Sequence, residues 1–119
     1  MDADRSGKES AVIICNPPPL SSDTLHVWSV PLDPARDVYE SLATCLTPDE
    51  RARAASFRFD RDRRRFSTAR AALRHIIGAY LRRPPQHIRL RYGAHGKPHL
   101  SLEEGAGIDF NVAHVANAR

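Results

Sequence analysis

Cysteine is nearly absent: Cys15 and Cys45 are the only two in 119 residues. They form no CxxC pair and have no secretory context, so a disulfide framework or a zinc site does not organise this chain. Both read as free, inert thiols. Long apolar runs are missing too. Nothing approaches the roughly 20 residues of a membrane helix. The stretch Ala11-Val12-Ile13-Ile14-Cys15 is too short for a signal-peptide core and runs into Pro17-Pro18-Pro19, so the expected compartment is the cytoplasm. The chain shows no internal repeat and no recognised nucleic-acid-binding motif. Its length supports one domain with a modest core. A content of 41% hydrophobic and 27% charged residues fits a soluble globular protein.

What is abundant is arginine, unevenly spread. From Arg51 to Arg74 nine arginines stand against Asp60 and Asp62, a net +7 over 24 residues in a chain of net +4. The remainder is therefore acidic by three charges. A patch of that density attracts an anion: a nucleic acid, an acidic protein or a multiply phosphorylated small molecule.

Residues 1–23 read as a disordered tail, with three consecutive prolines and no periodicity. The domain is expected to span 24–119 and to open on a strand, Leu25-His26-Val27-Trp28-Ser29-Val30, by its alternation. Asp33-Pro34 reads as an N-cap followed by a first-turn proline. The helix it starts, to about Leu46, carries Val38, Leu42 and Cys45 on one side. Thr47 and Glu50 form a capping-box signature for a short second helix. A long central helix is expected from about Asp60 to Leu81, with Phe66, Ala69, Leu73, Ile76, Ile77 and Tyr80 as its apolar stripe, ended by Pro84-Pro85. Ile88 to Tyr92 alternates as a strand closed by Gly93. Leu100 to Leu102 is a short extended piece, and Ile108 to His114 a last strand. The order implies an α+β fold: a small, mainly antiparallel sheet packed against the long central helix.

Three features carry candidate chemistry. Arg63, Arg70 and Arg74 project within about 40° of one another on an ideal helix, a ridge suited to phosphate because guanidinium makes forked, permanently charged contacts. Gly96-Lys97-Pro98 holds a lysine forward on a constrained turn, since Gly96 admits backbone angles closed to other residues and Pro98 forces Lys97 to be extended. Ile108, Phe110, Val112 and His114 share one face of the last strand, with His114 at its end. His95, His99 and His114 fall within 20 residues but match no zinc spacing.

These pieces occur in a distinctive order. The strand His26-Val27-Trp28, the segment Leu46-Thr47-Pro48-Asp49-Glu50-Arg51-Ala52-Arg53 and the stretch from Phe57 to Phe66 come first. Ala69-Arg70-Ala71-Ala72-Leu73-Arg74, Gly96-Lys97-Pro98 and Phe110-Asn111-Val112-Ala113-His114 follow. Residues 25 to 117 thereby resemble the 4'-phosphopantetheinyl transferases of the surfactin-synthetase-activator type. That resemblance implies transfer of phosphopantetheine from coenzyme A to a serine of an acidic acyl or peptidyl carrier protein, in fatty acid, polyketide or nonribosomal peptide biosynthesis. It also implies one half of a pseudo-dimeric fold. By position, Arg53 would contact the 3'-phosphate of coenzyme A, and Gly96, Lys97 and Pro98 would lie along the adenine and its phosphates. His114 would hydrogen-bond the pyrophosphate in a supporting catalytic role, and Arg65 and Arg70 match further basic positions.

Two departures stand out. Ala113 replaces a serine of the family pattern. The Gly-x-Asp-x-Glu segment that would hold Mg2+ does not follow His114, and Glu103, Glu104 and Asp109 do not take its place. The expectation is therefore an N-terminal half that binds coenzyme A without transferring on its own, needing a C-terminal half or associating with itself through Ile108, Phe110 and Val112. The competing expectation is a non-catalytic basic module for nucleic acid or acidic protein. Trp28, Phe57, Phe59, Phe66 and Tyr92 then read as core residues rather than a stacking platform for bases, so no specific nucleic acid and no membrane partner is expected.

Overall fold

The computed structural model describes residues 25–93, 96–100, 108 and 110–112. The chain divides after His87 into two units. The first holds helices α1 (Arg36–Ala43), α2 (Pro48–Ala55) and α3 (Asp60–Leu81), then a 3-10 turn at Pro85–His87; the second holds strands β1 (Leu90–Tyr92) and β2 (Pro98–Leu100). The class is α+β, as expected. The tail at 1–23 lies outside the described residues. Among the described residues no helix is long and apolar enough to cross a membrane.

Leu25 to Val30 alternate as a strand does, yet this segment is not one. Among the described residues its backbone has no ladder partner, and the His26 and Trp28 side chains are anchored instead. The Tyr80 hydroxyl, at the end of α3, accepts from Trp28 Nε1 at 3.0 Å and shares a hydrogen bond with His26 Nδ1. Trp28 sits edge-on to the Tyr80 ring, while Leu25 and Val27 face solvent. Asp33 does not cap α1 either. The helix starts behind Ala35 with no side-chain cap, because the Asp33 carboxylate is drawn to the forked guanidinium of Arg65. Two charge-assisted bonds outweigh one cap bond. Helix α1 stops at Ala43, and Cys45 and Leu46 turn into the core beside Leu42 and Ala71, flanked by Val38 and Ala43. Burying Leu42 or Leu46 contributes roughly 1.5–3 kcal/mol each.

Helix α2 begins as its sequence dictates. Thr47 Oγ1 accepts from the Glu50 amide at 3.2 Å, and Glu50 Oε1 accepts from the Thr47 amide at 3.0 Å, so both arms of the capping box are closed. Helix α3 keeps its expected limits but not its expected inner face. Ser67, Thr68, Ala71, Ala72, Arg74, Ile77 and Gly78 are buried, whereas Phe66, Ala69, Leu73, Ile76 and Tyr80 are only half-buried. Side-chain size misleads here: small residues make up most of the face that α3 buries. Gly78 is required by the segment that follows α3, since a Cβ there would meet the Arg83 carbonyl at 2.6 Å. The chain folds back at that point through Arg82 in the left-handed region (φ 57°), with the Arg83 amide donating to the Gly78 carbonyl at 2.9 Å.

In the second unit β1 and β2 pair antiparallel in the register Leu90↔Leu100, Arg91↔His99, Tyr92↔Pro98. The second strand thus starts two residues before the expected piece at Leu100, because Pro98 is tolerated as the first residue of a strand. Ile108, Phe110, Asn111 and Val112 lie in no strand, contrary to expectation; Ile108 and Phe110 are half-buried and Val112 exposed. His114 lies outside the described residues.

Arg74 donates from Nε and Nη2 to the Glu50 carboxylate at 2.8–3.0 Å, with both side chains 3% exposed. Arg74→Met strips Glu50 of this guanidinium, and urea unfolding should show a loss of about 3–5 kcal/mol. Adding Glu50→Leu should recover much of that loss, less the cap bond.

Candidate functional site

The Glu50–Arg74 pair lies near the start of α2 and the end of α3, so it fixes how the two helices run past each other. One helical turn beyond Glu50 stands Arg53, and two turns before Arg74 stands Phe66. They meet: the Arg53 guanidinium lies 5.7 Å from the Phe66 ring centroid, and that of Arg70, one turn along α3, lies 4.9 Å from it. Phe57 packs on Phe66 from the α2–α3 corner, ring centroids 5.5 Å apart. Two cations thus converge on one ring, held by cation–π attraction. Arg53 is exposed and Arg70 half-buried. This is a small basic surface with an aromatic floor, suited to a phosphorylated ligand.

The expected ridge of Arg63, Arg70 and Arg74 does not exist as a ligand surface. Arg74 is buried against Glu50 and also donates to the Pro85 carbonyl at 3.1 Å. Arg63 donates from Nε to the Phe57 carbonyl at 2.8 Å and from Nη2 to that of Arg58 at 3.0 Å, which clamps the α2–α3 corner. Helical angle alone put the three together; burial and clamping separate their roles. Arg65 donates to both oxygens of Asp33, at 3.0 and 2.7 Å. The hydrogen bond from Arg65 pulls the Asp33 carboxyl below its ordinary 3.8, and the same pair raises Arg65.

In the second unit, Gly96 has φ 76°, the left-handed conformation its residue type was expected to supply. The Gly96 amide donates to the Gly93 carbonyl and the Gly93 amide to the Lys97 carbonyl, both at 2.9 Å. The turn is therefore closed at both ends, with Lys97 exposed at its exit and Pro98 buried. Among the described residues no three His, Cys, Asp or Glu side chains gather where a metal could sit. Glu103, Glu104 and Asp109 lie outside those residues. Cys45 is a free buried thiol, pushed up to about 11 by burial, and so is unreactive.

Sequence reading assigned Phe66 to the core and missed it as the floor under two guanidiniums. The available signal was local: Arg70 follows Phe66 by four residues, the spacing at which helical side chains meet. Thr68 went unremarked as well. It is 1% exposed, and its hydroxyl finds no hydrogen-bond partner.

Residues 30–118 match the family described as 4'-phosphopantetheinyl transferase, N-terminal. The chain is 40% identical over 99 residues to the 4'-phosphopantetheinyl transferase HetI of Nostoc sp., covering 82% of this chain and 42% of that one. It is 37% identical over 92 residues to the putative 4'-phosphopantetheinyl transferase slr0495 of Synechocystis sp., covering 77% and 37%. The human L-aminoadipate-semialdehyde dehydrogenase-phosphopantetheinyl transferase is 30% identical over 84 residues, 68% of this chain and 27% of that one. The chain thus spans about two fifths of the length of the first two relatives. No solved structure matches.

Two substitutions probe the local chemistry. Asp33→Asn should lower stability by at most about 1 kcal/mol near neutral pH, because the pair is partly exposed and screened. Since folding lowers the Asp33 pKa, its contribution is present above 3.8 and fades as pH falls through the folded value. Thermal melts of the two proteins should therefore converge in acid. Thr68→Val removes a buried hydroxyl that lacks a partner and should raise stability by about 1 kcal/mol or more, read by the same melts.

Proposed function

Because the chain belongs to the 4'-phosphopantetheinyl transferase family, we propose that it supplies the grip on coenzyme A for that transfer. In the reaction expected of the family, a carrier-protein serine hydroxyl attacks the β-phosphate of coenzyme A and gives up its proton to a base. The phosphorus–oxygen bond to 3',5'-ADP breaks, and the phosphopantetheine arm leaves on the serine. The nucleotide brings several negative charges that a binding surface has to neutralise. Arg53 takes the 3'-phosphate, and Lys97, held out by the Gly96 and Pro98 turn, lies along the adenine and its phosphates. Arg70 adds a second cation beside Arg53, and His114 reaches the pyrophosphate. Arg65 contributes last, since Asp33 already engages its fork. The family resemblance implies Mg2+, which would supply charge neutralisation at the phosphates. The part assigned to this chain is nucleotide binding.

The observation that carries this reading is the convergence of Arg53 and Arg70 on Phe66. Each guanidinium is held on that ring by cation–π attraction, and the fork of the exposed Arg53 is suited to a phosphate. The alternative of a nucleic-acid module loses support from the same geometry, since Arg63, Arg65 and Arg74 are spent on structural contacts. Duplex binding should then be sequence-independent and confined to low salt.

Calorimetric titration with coenzyme A at low salt tests the reading. Arg53→Ala and Lys97→Ala should each weaken binding by roughly ten- to a hundredfold, the worth of one charge-assisted hydrogen bond at about 1.5–3 kcal/mol. Affinities equal to that of the parent protein in both variants would rule it out.

A further inference from the structure

The corner between α2 and α3 has features that coenzyme A binding does not use. Of its two phenylalanines, Phe57 packs inward on Phe66, while Phe59 is 61% exposed. Phe59 is not loosely held. The Arg63 side chain clamps the two carbonyls that precede it, and the Arg58 guanidinium stacks 5.4 Å from its ring centroid. Its own carbonyl accepts from the Arg63 amide at 3.1 Å as α3 begins. The result is a preorganised aromatic knob. Arg58 and Arg61, one residue before it and two after, are exposed. At the flank of the corner a cleft of about 280 Å³ is lined by Arg36 and Tyr39 of α1, Ala54 and Ala55 of α2, and Arg63 and Arg64 of α3. Glu40 and Asp60 also line it, Asp60 paired with Arg64 at 3.3 Å.

An exposed aromatic with an arginine stacked on it and a second exposed arginine two residues on has the composition of an interface centre rather than of idle surface. The charge selects the partner. Residues 51–65 carry seven arginines against two aspartates, so the complementary face is acidic, with an apolar notch for Phe59. We propose that the α2–α3 corner docks the acidic face of the carrier protein that accepts the phosphopantetheine arm. This rests on the reading of the chain as part of a phosphopantetheinyl transferase. Phe59 enters the notch between acidic side chains of the carrier. Arg58 and Arg61 pair with those side chains, and the cleft receives a further carboxylate. Phe59 precedes Phe66 by about two turns of α3, roughly 10 Å along its axis, so the carrier lands beside the nucleotide surface without covering it.

The test is fluorescence anisotropy of a labelled apo acyl carrier protein against the full chain at low salt, with coenzyme A titrated in parallel. Phe59→Ala should weaken carrier binding about tenfold, as loss of an aromatic anchor does. Arg61→Glu should weaken it as well and flatten its salt dependence, while both variants bind coenzyme A as the parent does. The two changes act on exposed side chains, so a retained melting temperature certifies that each variant is folded. Carrier binding unchanged in both variants overturns the docking site. So does a parent that binds coenzyme A but no carrier, or displacement of the carrier by duplex DNA as readily as by unlabelled carrier. A parent that binds neither coenzyme A nor carrier removes the transferase reading itself.

Discussion

Glu50 has one oxygen turned to the Thr47 amide and both turned to Arg74, with 3% of its surface exposed. Removing two full charges from water costs several kcal/mol per ion, and only near-ideal geometry with further hydrogen bonds offsets it. The pair has that geometry. Guanidinium meets carboxylate in a fork, the second oxygen contact closes a helix cap, and the remaining Arg74 nitrogen reaches the Pro85 carbonyl. One ion pair therefore ties three things together: the start of α2, the last turns of α3 and the 3-10 turn that follows. A hydrophobic pair of equal volume would bury as well, but it would slide. The directional bonds fix one register.

From that register the site follows without further invention. With Glu50 set against Arg74, helical rise carries Arg53 toward Phe66 and Arg70, and brings the α2–α3 corner round so that Phe57 closes on the same ring. Arg63 then holds the corner by its carbonyls. The cations over Phe66 stand one helical turn from a buried ion pair that sets the helices carrying them. A binding surface built this way is preorganised, and its ordering cost is met by folding rather than by the ligand.

How much of this was legible depended on whether the signal was local. The Thr47 to Glu50 cap, the limits of α3, the proline stop at Pro84-Pro85 and the Gly96 turn were all readable, because each is decided by residues within a few positions of one another. The misreadings were decided at long range. Leu25 to Val30 has the alternation of a strand, but a strand requires a ladder, and the segment is instead tied to Tyr80, 50 or more residues away. Asp33 has the position of an N-cap, but its carboxylate is bonded to Arg65, 32 residues on. Arg74 looked like surface because arginine usually is, and only the distant Glu50 makes its burial tolerable. The small-residue face of α3 was passed over for the bulkier one, since size reports what a residue can fill and not how near a neighbouring helix comes. Of the candidate ligand residues, the sequence placed Arg53 and Arg70 on separate elements. Their meeting on Phe66 needed the helix register.

The arginines of 51–74 are thus not one patch but a division of labour along two helices. Arg74 is interior, Arg63 is a clamp and Arg65 a tether to the segment before α1. Arg64 is half taken by Asp60. Arg51 donates to the Ala43 carbonyl, and Arg53, Arg58 and Arg61 are exposed at the junction of α2 with the start of α3. Guanidinium suits all these tasks because its planar fork can bond carboxylates and carbonyls while its face lies on a ring. Lysine offers neither the fork nor the flat face. A raw count of positive charge therefore overstates the field available to a long polyanion and understates how sharply the outward charge is focused. That focus fits a compact anion, with a protein's acidic face beside it, better than a nucleic-acid backbone tracking the length of a helix.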